Sequence, residues 1–219
     1  MIVDDRMAVF INSFDEGNPS YLNELEQYAL DTQVPIVRKE MQKLLKFLLK
    51  LKKPEHILEV GTAIGFSALL MSEYAPSSAH ITTIEKYEKR IPLAKENFQK
   101  AGKQEQISLL EGDAADILKQ LLEQGLEESF DFIFMDAAKG QYIHFLPDVL
   151  RLLKKDGFLI SDNVLQDGDI IESRYAVVRR NRTIHTRMRD YLYTLTHHEQ
   201  LETVILPVGD GVTLSIKQY

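Results

Sequence analysis

Apolar and polar positions follow two different rhythms along this chain. Between Ile36 and Leu51, Val37, Met41, Leu44, Leu45 and Leu48 fall on one helical face, and Lys52, Lys53 and Pro54 close that helix. The residues before it also read as helical. From position 56 the rhythm changes to short apolar runs set between helical segments. "HILEV" (56–60) enters a Gly-containing turn, and 66–75 is the helix that follows. "HITTIE" (80–85) is a second strand. The next helix, 88–101, carries Ile91, Ala94, Phe98 and Ala101 at helical spacing, with Gly102 as its stop. "QISLLEGD" (106–113) and 115–125 repeat the strand–helix pair. "FDFIFMD" and "GFLISDN" are the fourth and fifth strands, with a helix between them. Such alternation predicts a mostly parallel sheet covered on both faces, a doubly wound α/β fold. The end differs: 201–219 reads as two strands joined around Asp210–Gly211, an antiparallel hairpin.

No repeat, low-complexity tract or Pro/Gly-rich linker divides the chain. The expectation is one domain over 1–219, with a helical part at 1–53 and a core at 54–219. The chain has 219 residues and no cysteine, which removes disulfides and thiolate metal sites and fits a reducing compartment. No signal-like start and no run of membrane-spanning length occurs, so a cytoplasmic protein is expected. The net charge is −7, so an anionic partner would need a local basic patch.

In doubly wound sheets ligands bind beyond the carboxyl ends of the strands. Acids stand there five times in succession: Glu59, Glu85, Asp113, Asp136 and Asp162. Any one of them is also a plausible helix N-cap; five in a row are harder to account for as caps. After the first strand, Gly61 and Gly65 form G-x-x-x-G, which is not the G-x-G-x-x-G of dinucleotide binders and disfavours an NAD dehydrogenase. The two glycines either admit a ligand to the backbone or merely turn the chain. Glu85 is placed to accept from two ribose hydroxyls, and Asp113 to meet an adenine amino group. Asp136, Asp162 and Asn163 are hard oxygen donors of the kind that suits Mg²⁺, with no cysteine or adjoining histidine to favour zinc. Their alternative reading is a turn or a cap.

"ILEVGTAIGFSA", "TIEK", "GDA", "FIFMDAAKGQY" and "LISDNVL" resemble, in order, the motifs of class I S-adenosylmethionine-dependent O-methyltransferases. The similarity is to the metal-dependent branch with the catechol and caffeoyl-CoA enzymes, and it covers nearly the whole chain. Within that branch, "VPIV", "DAAKGQY", "DNVL", the Arg-rich segment and the "PVGDG" stretch near the end resemble bacterial tRNA 5-hydroxyuridine methyltransferases. The resemblance implies a Rossmann-like methyltransferase fold and a homodimer. It implies S-adenosylmethionine contacts at Val37, Gly61, Ser67, Glu85, Asp113, Ala114 and Asp136. It also implies a divalent ion on Asp136, Asp162 and Asn163, and a general-base role for Lys139. Beside a divalent ion and a sulfonium, like charge disfavours the ammonium form of that lysine.

The acceptor class rests on residues 173–190, which hold Arg174, Arg179, Arg180, Arg182, Arg187 and Arg189 in an otherwise acidic chain. Clustered arginine suits phosphate and marks a nucleic-acid backbone. Equally, it can be a solvated helix face or a dimer contact. Arg174, Arg179, Arg180 and Arg182 are the candidate RNA contacts, and Tyr142 and Tyr175 the candidate platforms for a flipped base. His185, His197 and His198 are read as structural. The leading expectation is methylation of the 5-hydroxyl of a tRNA wobble uridine. The alternatives are a small-molecule catechol-type O-methyltransferase and a non-catalytic binding module on the same fold. Catechol and 5-hydroxyuracil both offer two neighbouring oxygens, so one metal site serves either.

Overall fold

Three amphipathic helices come first: α1 (Asp5–Asn12), α2 (Ser20–Asp31) and α3 (Lys39–Lys52). The computed structural model describes residues 3–219. Helix α3 buries Met41, Leu45, Leu48 and Leu49, and ends where Lys53 adopts a left-handed conformation just before Pro54. Proline disfavours a helical residue before it and lacks an N–H, so the helix cannot continue. By contact the chain divides into two compact units, residues 4–114 and residues 115–219 with Val3.

In the first unit, β1 (His56–Val60), α4 (Phe66–Tyr74), β2 (His80–Glu85), α5 (Ile91–Lys100) and β3 (Ile107–Glu111) follow. The three strands are parallel with β2 between the others, in the registers His56–His80 and Ile81–Ile107. Helix α5 begins three residues later than its periodicity suggests. The Glu85 carboxylate accepts the N–H groups of Lys86 and Tyr87, holding the chain in a turn, and Pro92 then stands in the first helical turn.

Helix α6 (Ala114–Glu123) leads into the second unit. There β4 (Phe130–Met135) is followed by a 3₁₀ turn at Lys139–Gln141 and by α7 (Tyr142–Leu152), which passes directly into β5 (Leu153–Ser161). Two more 3₁₀ turns, Gln166–Ile171 and Arg179–Asn181, precede α8 (Arg182–His197), β6 (Leu201–Leu206) and β7 (Val212–Lys217). Strands β4 and β5 are parallel; β7 runs antiparallel to both β5 and β6. The architecture is α/β with parallel strands and a C-terminal antiparallel hairpin, as the sequence pattern predicts.

The hairpin connection is longer than a two-residue turn. It spans 207–211, and its end docks on the segment that follows β5. Val164 and Leu165 donate their N–H groups to the carbonyls of Gly211 and Asp210, both at 2.9 Å. Gly211 has φ of +86°, and a Cβ there would lie 2.2 Å from Leu165. Only glycine fits the turn and the contact together. Among the described residues no helix is long and apolar enough to cross a membrane.

Candidate active site

Strand ends supply most of the candidate residues, with one correction. Glu59 lies inside β1, followed by Val60, and is fully buried, where it accepts a hydrogen bond from the Thr83 hydroxyl on β2. It is a strand-to-strand contact within the sheet, so the series of strand-end acids is four. A sequence run shows where a strand lies but not which of its last residues clears the ladder.

In the first unit the chain leaves β1 through Gly61 and Gly65, both with positive φ, and enters α4. A Cβ on Gly65 would fall 2.5 Å from the Phe98 ring. Glu85 organises this loop. One carboxylate oxygen accepts the Ala63 N–H at 2.8 Å, and the other accepts those of Lys86 and Tyr87 at 2.9 and 2.8 Å. The residue expected to meet a ribose is thus also the pin of the glycine loop. Asp113 stands exposed beyond β3, with the Lys86 ammonium 3.2 Å away. Ser67 and Ala114 are buried at the starts of α4 and α6. Val37 is buried just before α3, and its carbonyl accepts from Gln42 at 3.0 Å.

In the second unit the structure brings Asp136, Asp162 and Asn163 together. Asp136 follows the last residue of β4, and Asp162 follows the last residue of β5, so the parallel pairing sets them side by side. The Asn163 amide nitrogen donates to Asp136 at 3.2 Å, which leaves its amide oxygen as a further donor atom. The Asn163 backbone N–H donates to Asp162 at 2.7 Å, and Asn163 has φ of +61°. Among the described residues no three His, Cys, Asp or Glu side chains group as a metal cluster. Any cation here would take Asn163 as its third protein side chain.

The electrostatics suit a cation. Burial raises Asp136, opposed by the Lys139 charge and the Asn163 hydrogen bond. Burial, then the Asp136 charge, pushes Asp162 up to about 7, with buried Asp210 adding to the rise; the Asn163 N–H and Lys139 oppose it. Two adjacent acids, one buried and one half-buried, that resist losing both protons gain most from a divalent ion. The folded-state value of Asp162 is above its ordinary 3.8, so the folded protein retains a proton that the unfolded chain has lost. Without metal, stability therefore falls as pH rises from about 4 to about 7. MgCl₂ is expected to raise the melting temperature more at pH 8 than at pH 6, read by scanning fluorimetry. An equal or larger rise at pH 6 would count against the acid pair as the cation site.

Lys139 opens the 3₁₀ turn after β4, half-buried, and its charge reaches both acids. That turn is anchored by α8: Arg187 donates to the Gly140 carbonyl at 3.1 Å, and Ile184 packs against Gly140. Arg182 also acts within the chain. It donates to the carbonyls of Val177 and Tyr175 at 3.3 and 3.1 Å and lies over the Tyr175 ring. His185 bonds the Glu172 carbonyl, and Arg189 those of Ile170 and Glu172. The side chains of Arg174, Arg179 and Arg180 are exposed and hold no hydrogen bond or ion pair among the described residues. Tyr175 is 80% exposed, whereas Tyr142 is fully buried and cannot stack on a base. Its burial was readable: Tyr142, Phe145, Leu146 and Val149 share one helical face.

Residues 12–218 match the protein family described as O-methyltransferase. Over 178 residues the chain is 34% identical to caffeoyl-CoA O-methyltransferase 1 of Eucalyptus globulus, covering 78% of this chain and 70% of that protein. It is 35% identical over 130 residues to a catechol O-methyltransferase of Niastella koreensis, covering 59% of this chain and 58% of the other. The S-adenosylhomocysteine-bound structure of the Podospora anserina methyltransferase PaMTH1 superposes with a TM-score of 0.86 at 28% identity, covering 98% and 95% of the two chains.

Proposed function

We propose, on the premise that the chain belongs to the O-methyltransferase family, that it moves a methyl group from S-adenosylmethionine to a hydroxyl with a second oxygen beside it. The acceptor class best supported by the relatives' names is a small catechol- or caffeoyl-type compound. The observation that carries this reading is the pairing of half-buried Asp136 with buried Asp162, with Asn163 attached and Lys139 close enough to influence both. When bound, a divalent cation would supply positive charge that acidifies a neighbouring hydroxyl and fixes its direction. Asp136, Asp162 and Asn163 would hold that cation. Lys139 would accept the hydroxyl proton. The methyl leaves a sulfonium, so the products are a methyl ether, S-adenosylhomocysteine and the protonated lysine. Glu85, Asp113, Gly61, Ser67, Val37 and Ala114 of the first unit would bind the donor.

A second reading, 5-hydroxyuridine in a tRNA wobble position, is favoured by the exposed side chains of Arg174, Arg179 and Arg180 on the segment that leads into α8, the helix that anchors the Lys139 turn. Arginines of this kind suit phosphate. Replacing all three with alanine separates the readings. For a simple catechol acceptor, turnover should be essentially unchanged. For tRNA carrying 5-hydroxyuridine, binding should weaken strongly, and the salt slope should become shallower by about 0.7–0.9 for each phosphate that the arginines no longer neutralise. Efficient turnover of catechol with none on that tRNA would remove the RNA reading; the converse would remove the small-molecule one.

A further inference from the structure

Tyr142 is fully buried, yet its hydroxyl is busy. It accepts the Ala137 N–H at 3.2 Å. Its one proton is shared between the carbonyls of Met135 and Asp162, each at 3.2 Å. Met135 and Ala137 are the neighbours of Asp136 on either side. A single phenol oxygen therefore grips the backbone before Asp136, after Asp136 and at Asp162 itself. The Met135 carbonyl also accepts the Asp162 N–H at 3.0 Å, the last rung between the two strand ends. The Tyr142 ring is held in turn, edge-on to Tyr191 with centroids 5.5 Å apart, and the Tyr191 hydroxyl bonds Ser161 at 2.6 Å, one residue before Asp162.

We propose that Tyr142 is a positioning residue: it sets the separation and direction of the Asp136 and Asp162 carboxyls, and so the affinity of the site for a divalent cation. This rests on the cation reading given under Proposed function. The physical reason is that β4 and β5 each end on an acid, and two like charges side by side push their strand ends apart. Beyond the last rung nothing in the ladder resists that push. A carboxyl's direction follows from the peptide planes on both sides of its residue, and the Tyr142 hydroxyl fixes both planes around Asp136. Phenylalanine at 142 would keep the ring and its packing while leaving those backbone groups without this partner. Positioning groups behind metal ligands typically change metal affinity by about 10–100-fold when removed.

The test is calorimetric titration of MnCl₂ alone into metal-stripped protein, comparing wild type, Tyr142→Phe and Tyr21→Phe. The last removes a tyrosine–carboxylate hydrogen bond, to Glu73, in the first unit and reports on general loss of stability. The dissociation constant for Mn²⁺ is expected to rise roughly 10–100-fold in Tyr142→Phe and to stay put in Tyr21→Phe. S-adenosylhomocysteine affinity should be the same in wild type and Tyr21→Phe and should change far less than Mn²⁺ affinity in Tyr142→Phe, and saturating Mg²⁺ should restore much of the turnover of Tyr142→Phe. A Mn²⁺ affinity in Tyr142→Phe equal to wild type overturns the proposal. So does an unfolded Tyr142→Phe, checked by near-ultraviolet circular dichroism, because the hydroxyl would then be a folding determinant. No Mn²⁺ binding by the wild type would instead remove the cation reading itself.

Discussion

Chelation with EDTA is expected to stop methyl transfer, Mg²⁺ to restore it, and Asp162→Ala to lose most of its activity even at high Mg²⁺. Asp162 is nine-tenths or more hidden from solvent and faces a second acid, so its ionised form is costly unless a cation neutralises it. Alanine removes one of only two carboxylates in the set, and Asp136 with Asn163 leaves a single negative charge, which holds a hard cation more weakly and fixes it less firmly. Donor binding should survive, because Glu85 and the glycine loop belong to the other unit. The stability result runs the other way. At pH 8 without metal, Asp162→Ala should melt no lower than wild type, since the substitution removes a buried charge whose folded-state value is about 7. Full turnover by the chelated enzyme would sink the cation mechanism, and a large loss of S-adenosylhomocysteine affinity in Asp162→Ala would mean that the donor residues are wrongly assigned.

Lys139→Met is expected to lower kcat by about 10²–10⁴, the range for loss of a general base, with little change in KM for S-adenosylmethionine. Methionine keeps much of the length and flexibility of lysine but takes no proton. The turn that carries it is fixed independently by Arg187 on the Gly140 carbonyl, so the backbone should hold. Lys139 also opposes the rise of both acids. Its loss should make their ionisation harder and weaken cation binding near neutrality, so the comparison belongs at saturating Mg²⁺. A kcat within a few-fold of wild type under those conditions would assign the proton to another group.

Much of this was legible in residue patterns. His56–Val60 and His80–Glu85 stand as strands where the apolar runs place them, because each is bounded by turn residues and followed by helical spacing. Asp136, Asp162 and Asn163 were identifiable because topology puts the residue after each parallel strand at one end of its sheet. What the sequence withheld is which partner each polar atom chooses. Glu59 looks like a strand-end acid, but its position in the ladder turns it to Thr83. Arg182 looks free to meet phosphate, but two carbonyls within reach take its guanidinium. Tyr142 looks like a stacking ring, but the helical face it shares with Phe145 and Val149 carries it inside. Hydrogen-bond choice depends on distances between segments remote in sequence, and no local pattern encodes those.

Arg182, His185 and Arg189 rise along α8 roughly a turn apart and hold carbonyls at Tyr175 and Val177, at Glu172, and at Ile170 and Glu172. Every residue type brings the same carbonyl, so the course of residues 170–177 does not depend on the side chains it displays. Ile171 and Tyr175, and Val178 just beyond, are the well-exposed apolar side chains there, at 82%, 80% and 62%. Their identities can drift between descendants of one ancestor while the segment keeps its path and the Lys139 turn keeps its anchor. Evolution can thus try new surfaces on this segment without rebuilding the helix that anchors the Lys139 turn.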